Sequence, residues 1–366
     1  MRVAVTGPDG FLAWHVRCAL SARQGQDTVQ IGRGEFEDPN LMDSALAKVD
    51  CVIHLAGLNR ATDEEISTTN PMLAQRLVEG LVRANRPIVV VHGNSIQSRG
   101  NSVFGKSKAE AAAIFRAHSE SGGSPFVDVV LPNLFGEHGR PFYNSVVATF
   151  CHQLVIGETP RIEVDRELGL LHAQRAAEVL LDATAEPTRS DIVVEGKVLS
   201  VSALLAELQV MSERYFEGRL PNLSDPFTRD LFNTYRSFTF PGMWPILPSK
   251  HTDVRGELVE AVRGAGGETQ VFFSTTKPGF TRGDHFHLHK VERFIVLEGQ
   301  ASIRLRRLFT SEVIEFPVTG KTPAIVDMPT LWTHSITNTG EQDLLTLFYS
   351  DDEFNPEAPD TYWIEV

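Results

Sequence analysis

Three histidines and a glutamate in the C-terminal third of the chain have the spacing of a metal site. His285, His287 and Glu292 lie in the stretch Gly279–Gly299, which has the pattern Gly-x5-His-x-His-x4-Glu-x6-Gly. Residues two apart on a strand point to the same face. The two imidazoles can therefore converge, and a hairpin would bring the Glu292 carboxylate beside them. With His334 from a later stretch, these residues make a ligand set that suits zinc or another first-row divalent metal.

The two histidine-bearing stretches resemble the two motifs of cupins. The first has the expected residue at every signature position. The second keeps Pro329, His334 and Asn338, but Leu331 stands where cupins usually carry glycine. Short strand signals between Val271 and Tyr349 agree with an all-β double-sheet jelly roll. The resemblance implies one divalent metal, with zinc favoured. A metal-free cupin that uses histidine as an acid–base catalyst and a purely structural metal both stay open.

Composition excludes several classes of protein. The chain has 366 residues, 42% of them hydrophobic and 22% charged, which is typical of a globular protein with about two domains. A net charge of −13 argues against nonspecific nucleic-acid binding. No apolar run is long enough to span a bilayer, and the N-terminus enters a strand directly, unlike a secretory signal. The three cysteines are isolated, so we expect no disulfide framework, no membrane insertion and a cytoplasmic location.

The N-terminal part has a glycine motif in the setting that gives such motifs meaning. A short apolar strand is followed by Gly7 and Gly10 and then by a helical pattern that begins near Trp14. Gly7 permits a tight turn, and Gly10 allows close approach of a pyrophosphate to the helix N-terminus. Strand and helix patterns continue to alternate, which predicts an α/β Rossmann-like, doubly wound parallel sheet.

This region resembles the extended short-chain dehydrogenase/reductases. Thr6-Gly7-x-x-Gly10-x-x-Ala13 matches their glycine motif, with Ala13 in the last glycine position. The second strand ends at Ile31 without an acidic residue at its tip, and Arg33 follows. Arg33 can meet a ribose 2′-phosphate, so NADP(H) is favoured over NAD(H). A solvated loop role for Arg33 stays open.

The catalytic segment departs from the family. Ser95 aligns with the family's catalytic serine and Lys108 with the lysine of its Tyr-x-x-x-Lys motif, but Phe104 occupies the tyrosine position. The missing phenol is the family's usual proton donor to the carbonyl. Proton transfer commonly contributes about 10²–10⁴-fold to the rate, so reductase activity is in doubt. Ser95, Lys108, a water or a substrate group can in principle substitute.

The segment that begins at Leu131 narrows the resemblance to the CapF-type bifunctional enzymes of capsular polysaccharide synthesis. In that family a reductase domain is joined to a cupin domain and acts on a UDP-linked keto sugar. Asn133, Arg140 and Asn144 would line the sugar-nucleotide side, and Arg140 suits a diphosphate. A proline-rich linker predicts domains at residues 1–243 and 244–366.

The resemblance implies a cytoplasmic enzyme with two activities on a nucleotide-linked 4-keto sugar. The cupin domain would epimerise a carbon near the ketone, with His289, Lys290 and Tyr349 as candidate bases, and the first domain would reduce the ketone with NADPH. The family also implies a homodimer. Three alternatives stay open: a reductase-dead scaffold whose cupin is the only catalyst, a non-catalytic sugar-nucleotide-binding protein, and a first domain that catalyses another step with an acid from elsewhere.

Overall fold

The computed structural model describes residues 1–23, 28–185, 187, 191–254, 256–264 and 269–366. These residues divide into two compact units. The first consists of Met1–Leu134 and Glu167–Leu199, and the second of Phe135–Arg166 and Ser200–Val366. The units do not follow chain order, and the predicted division after residue 243 stays a prediction. None of the described helices combines the length and apolar character needed to cross a membrane.

The described residues form nine α-helices, one short 3-10 helix at Ile96–Arg99 and twenty strands. The helices are α1 Phe11–Ala22, α2 Arg33–Glu37, α3 Pro39–Leu46, α4 Asp63–Ala84, α5 Val103–Glu120, α6 Val146–Val155, α7 Ala173–Ala185, α8 Val201–Phe216 and α9 Pro226–Thr239. The first ten strands are β1 Val3–Thr6, β2 Thr28–Ile31, β3 Cys51–His54, β4 Val89–Ser95, β5 Phe126–Leu131, β6 Asn133–Phe135, β7 Glu167–His172, β8 Ile192–Val193, β9 Lys197–Ser200 and β10 Lys250–Asp253. The others are β11 Gly256–Val259, β12 Gln270–Thr276, β13 Thr281–Phe286, β14 Glu292–Glu298, β15 Gln300–Arg307, β16 Val313–Thr319, β17 Ile325–Met328, β18 Trp332–Asn338, β19 Leu344–Ser350 and β20 Tyr362–Trp363.

The first unit is built on a six-stranded sheet in the order β2-β1-β3-β4-β5-β8. Every neighbouring pair in it is parallel. Val3 and Val5 of β1 pack into one apolar core, whereas Ala4 packs into a second core on the opposite face. Both faces are covered, which explains why β1, β3 and β5 are buried along their whole length and are apolar except at Thr6, His54 and Asp128. The predicted doubly wound α/β sheet is confirmed.

The second unit contains two large antiparallel sheets and a separate antiparallel pair, β10-β11. The strand orders of the two large sheets are β12-β19-β14-β17 and β16-β15-β18-β13-β20. Side chains from both sheets share one core, in which Phe294 and Phe348 of the first meet Ile303 and Phe316 of the second. The sheets therefore pack face to face, as the predicted all-β C-terminal domain requires.

A buried ionic cluster ties helix α8 to the first of these sheets. The Arg293 guanidinium donates to both carboxylate oxygens of Asp327, at 2.6 and 3.0 Å, and to the carbonyl of Gly218. The Tyr215 hydroxyl donates to the same carboxylate at 2.7 Å. Burial opposes ionisation of Asp327, but Arg293 outweighs it and holds the pKa of Asp327 below its usual value. Helix α8 therefore belongs structurally with the antiparallel sheets, although it precedes them in sequence.

Replacing Asp327 by alanine should lower the free energy of unfolding of the second unit by about 3–5 kcal/mol, because the buried Arg293 loses its counter-charge. The matched control is Glu217→Ala, which breaks the solvent-exposed Glu217–Arg219 pair and should cost less than about 1 kcal/mol. Because its pKa is lowered by folding, the stabilisation from Asp327 is present at neutral pH and is lost as the pH falls through that pKa. Denaturant unfolding followed by tryptophan fluorescence measures both losses. Equal losses would contradict the role assigned to Asp327.

Candidate active sites

The structure brings the four predicted metal ligands together in the second unit. His285 lies in β13, His287 directly after it, Glu292 at the start of β14 and His334 in β18. Each offers one ligand atom, and these four atoms lie within 4.8 Å of one another. His287 and His334 are fully buried. Three imidazoles and one carboxylate therefore converge between the two antiparallel sheets.

A bulge in β13 aims His285 into this cluster. The register of β13 with β18 shifts between Gly283 and His285, and His285 then pairs with His334. Gly283 has φ +105°, and a Cβ atom on it would lie 2.6 Å from the carbonyl oxygen of His334. Only glycine allows this left-handed conformation with so close an approach to the neighbouring strand.

Asp360 orients His287 from behind. The Nδ1 of His287 donates to the backbone carbonyl of Asp360. The Asp360 carboxylate accepts the amides of Leu288, His289 and Lys290 at 2.9, 3.0 and 2.8 Å. The hydrogen bond from His287 Nδ1 to the Asp360 carbonyl fixes the tautomer of the ring, so the lone pair of Nε2 faces the cluster, as in many metal sites. No sequence pattern predicted Asp360, which lies 73 positions away.

The ring nitrogens in the cluster fit a cation better than they fit each other. Glu292 Oε2 is 2.9 Å from His287 Nε2 and 3.6 Å from His334 Nε2. Neither buried nitrogen makes a hydrogen bond of acceptable geometry, although the nearby Glu292 carboxylate raises the pKa of His287 against the opposing effect of burial. With all four ligand atoms within 4.8 Å of one another, they are close enough to share one cation. Burial lowers the pKa of His285 to about 3 and lowers that of His334, so both rings are neutral, the form that binds metal.

Leu331 shows how the chain tolerates a departure from the second cupin motif. Its φ is +66°, in the left-handed region where the motif usually has glycine. That conformation costs a residue with a Cβ about 1–2 kcal/mol. The Leu331 side chain is fully buried, and burial of a leucine contributes about 1.5–3 kcal/mol. Burial therefore offsets the strain, and in this turn the Leu331 amide donates to the His287 carbonyl at 2.9 Å.

The three candidate bases differ in position. Tyr349 pairs with Arg293, whereas Glu292 pairs with Ser350. Directly opposed residues share a face, so Tyr349 points away from the cluster, and its prediction as a base is wrong. Lys290 donates to the carbonyl of Pro359 at 2.8 Å and to the Thr361 hydroxyl at 3.4 Å. His289 has its Nδ1 3.6 Å from a carboxylate oxygen of Asp230.

In the first unit, the glycine turn lies between β1 and α1 as predicted. Gly7 has φ +62°, and a Cβ atom on it would lie 2.9 Å from the Cα of Ala56. The Gly10 amide donates to the Gly7 carbonyl at 2.9 Å, and α1 begins at the next residue. A tight turn at the carboxyl end of a strand, opening a helix, is the geometry that receives a pyrophosphate.

The tip of β2 differs from the expectation. Arg33 is exposed at the first position of α2. The Glu35 carboxylate, however, accepts the Gly32 amide at 2.7 Å. The expected absence of an acidic group at this tip is therefore wrong, because the helix that begins there turns Glu35 back onto the strand end.

Ser95, Phe104 and Lys108 occupy the predicted elements. Ser95 ends β4, and its hydroxyl accepts the Gln97 amide at 3.2 Å. Phe104 and Lys108 lie four residues apart on α5 and so share a helix face. Phe104 is half-buried and Lys108 is buried. The three residues therefore lie in the elements expected for the family, and their joint catalytic role stays a prediction.

Lys108 ends in a buried polar network that sequence reasoning missed. Its Nζ lies 2.8 Å from His92 Nε2 and 2.8 Å from the Gly93 carbonyl. His92 Nδ1 lies 2.9 Å from one carboxylate oxygen of Asp128, and Asn94 donates to the other at 2.9 Å. Burial lowers the pKa of Lys108 to about 8 and that of His92 to about 4. The only sequence signal was the presence of polar residues within two apolar strands.

The predicted sugar-nucleotide residues are exposed. Asn133 donates to the Gly169 carbonyl at 3.2 Å. The Arg140 guanidinium lies 5.1 Å from the centre of the Tyr143 ring, and Asn144 precedes α6. Asn133 belongs to the first unit and the other two to the second, so their joint role stays a prediction.

Known protein families match both the N-terminal and the C-terminal part of the chain. Residues 3–186 match the NAD dependent epimerase/dehydratase family, and residues 251–362 match the polysaccharide biosynthesis C-terminal domain. A UDP-2-acetamido-2,6-beta-L-arabino-hexul-4-ose reductase of Pseudomonas aeruginosa is 32% identical over 381 residues, covering 100% of this chain and 99% of that protein. The crystal structure of the capsular polysaccharide assembling protein CapF from Staphylococcus aureus is similar over 100% of both chains, at 28% identity and a TM-score of 0.65.

The chain belongs to the CapF-type family. A more distantly related solved structure resembles only part of the chain. A UDP-glucose 4-epimerase of Thermotoga maritima covers 58% of this chain and 83% of its own, at 16% identity and a TM-score of 0.54. That similarity shows a shared fold.

Purified protein should contain about one divalent metal ion per chain, because the four converging groups complete a tetrahedral ligand set. Elemental analysis after zinc reconstitution tests this, and His334→Ala should lose most of the metal. The control is His152→Ala, which removes a histidine of α6 outside the cluster. Metal-free protein after reconstitution would contradict the site.

Proposed function

We propose that the protein is a bifunctional enzyme that acts on a nucleotide-linked 4-keto sugar, with UDP as the expected nucleotide. Its C-terminal cupin domain epimerises a carbon beside the ketone, and its first unit reduces the ketone. The observation that carries the proposal is the convergence of three imidazoles and one carboxylate in a chain aligned end to end with a UDP-4-ulose reductase.

The C-terminal cluster suits epimerisation beside a ketone. His285, His287, Glu292 and His334 would hold the metal, which would supply positive charge for an enolate oxygen. A ketone acidifies the neighbouring C–H bond, so a base can remove the proton from one face before it returns to the other. Lys290 and His289 remain the candidate bases. A structural role of the metal, with four protein ligands and no open position, is the competing assignment.

The first unit suits nicotinamide binding. Gly7 and Gly10 would receive the pyrophosphate, and a bound NADPH would supply the hydride. Ser95 and Lys108 are the proposed catalytic residues, and Lys108 is also proposed to contact the bound cofactor. Phe104 favours a second candidate function, a scaffold that binds nucleotide without reducing, with the cupin as sole catalyst. A cytoplasmic location stays a prediction.

A homodimer is the proposed assembly, and the second unit has a surface that fits it. β12 is an edge strand that exposes Val271, Phe272 and Phe273. The preceding strands in sequence, β10 and β11, form a separate two-stranded sheet that exposes Leu258, and Val254 is exposed directly after β10. Isolated hairpins are marginally stable, and exposed apolar edges promote pairing. A second copy of the chain would cover these groups.

Phe273→Lys should convert the dimer to a monomer, because it places a charge in the covered apolar surface. Val82→Lys, at an equally exposed apolar position on α4, should leave the dimer intact. Sedimentation velocity at micromolar concentration measures both. A monomeric parent protein would exclude the homodimer.

Arg33→Ala should weaken NADPH binding about tenfold or more while sparing NADH, because it removes a charge-assisted contact to the 2′-phosphate. Glu35→Gln should strengthen NADPH binding, since it removes a negative charge from the same strand tip. Arg23→Ala is the control, because Arg23 pairs with Asp182 elsewhere on this unit. Titration calorimetry with NADPH and with NADH measures these affinities. Equal or tighter NADH binding by the parent protein would remove Arg33 from its role, and binding of neither would support the scaffold.

Phe104→Tyr should raise ketone reduction by about 10²-fold or more, because it restores the missing general acid in an otherwise intact frame. NADPH oxidation with a UDP-linked 4-keto sugar measures this, and Phe104→Leu is the control for loss of the ring. Solvent deuterium exchange into the sugar follows epimerisation separately and should not change. No gain from tyrosine would support the scaffold, and rapid reduction by the parent protein would overturn the expectation of an impaired reductase.

A further inference from the structure

A buried series of hydrogen-bonded polar groups ends at the Lys108 ammonium. Asp128 of β5 and His92 of β4 are directly opposed in the sheet, and both are buried. Lys108 reaches His92 from α5 at 2.8 Å. His92 aligns with His54, the last residue of β3, and the Gly93 carbonyl that accepts from Lys108 lies one residue further toward the carboxyl end of β4, the end at which doubly wound folds bind their ligands.

The contacts fix the direction of each hydrogen bond. Asp128 accepts from Asn94 and, as a carboxylate, also accepts from His92 Nδ1. His92 Nε2 then carries the lone pair and accepts from Lys108. Lys108 also donates to the Gly93 carbonyl. An ammonium has three N–H donors, and these two bonds leave the third without a protein acceptor in the described part of the chain.

We infer that Lys108 donates the proton in the ketone reduction that the chain retains without a tyrosine, and that His92 and Asp128 are positioning residues that hold its ammonium. The inference rests on the proposed reductase function. Hydride addition to the carbonyl carbon moves the C=O π pair to oxygen. A Lys108 N–H bond breaks as the O–H bond of the alcohol forms, and the resulting amine regains a proton from solvent.

The electrostatics agree with this role. Burial brings the pKa of Lys108 down to about 8, against a smaller opposing effect of Asp128. An acid with a pKa near the working pH is an efficient proton donor. His92 and Asp128 face the ammonium, and His54 lies behind His92 with ring centres 5.7 Å apart. Burial lowers the pKa of His54 and of His92, which leaves Asp128 as the negative charge that retains the proton on Lys108.

The test combines a pH profile with direct titration of the lysine. Asp128→Asn removes the negative charge, and His92→Phe keeps a ring but removes the acceptor. Each should lower the pKa of Lys108 by about one unit or more, so kcat should fall with rising pH at a correspondingly lower pH. NMR of ¹⁵Nζ-labelled lysine, assigned with Lys108→Arg, reports the same shift without turnover. Lys106, exposed on the same helix, is the internal control.

The result expected is a Lys108 titration near pH 8 in the parent protein, displaced in both variants together with the fall in kcat. A Lys108 that titrates like Lys106 overturns the inference. It is also overturned if both variants fold but lose rate at every pH without any displacement. If no ketone is reduced at any pH, the proposed reductase fails and the proton-donor role with it, whereas the NMR titration still decides whether His92 and Asp128 hold the charge.

Discussion

A buried ion pair between Arg293 and Asp327 determines the geometry of the strand that carries Glu292. The two residues are directly opposed in β14 and β17, and neither side chain is exposed. A slip of one residue in this ladder would turn every side chain of β14 to the other face and leave a buried charge without its partner, at a cost of about 3–5 kcal/mol. The pair therefore fixes the register of β14, and with it the direction in which the Glu292 carboxylate meets the imidazoles.

The first unit also contains a buried charged group that needs partners. A lysine buried beneath a parallel sheet needs acceptors, because transfer of an unpaired charge into the interior costs several kcal/mol or more. Lys108 finds them in His92 and the Gly93 carbonyl, with Asp128 behind the imidazole. In the second unit Asp360 supports His287 from behind by a backbone carbonyl. In both units the group that can do chemistry is held by a residue from a distant part of the chain.

The distance in sequence between a functional residue and its supporting residue explains which parts of the two sites can be predicted from the sequence. His285, His287 and Glu292 can be identified from spacing, because the two-residue period of a strand and the closeness of a hairpin convert sequence distance into spatial distance. Asp128 and Asp360 lie 36 and 73 positions from the residues they support, and no local pattern joins them. Pattern also leaves strand register undetermined, so Tyr349 was assigned to the wrong face of its sheet.

Two departures from the family patterns have different physical consequences. Leu331 stands where the cupin motif usually has glycine, and burial of its side chain offsets the strain of the left-handed conformation that it adopts beside His287. Phe104 also fits its helix, α5, but it lacks the phenol hydroxyl that is the usual proton donor in the family. Because the partners of Lys108 lie on β4 and β5 rather than at position 104, the active-site frame does not depend on the phenol. A fold can thus keep the architecture of its family after losing an acid, and for that reason likeness of fold does not determine whether the proposed ketone reduction takes place.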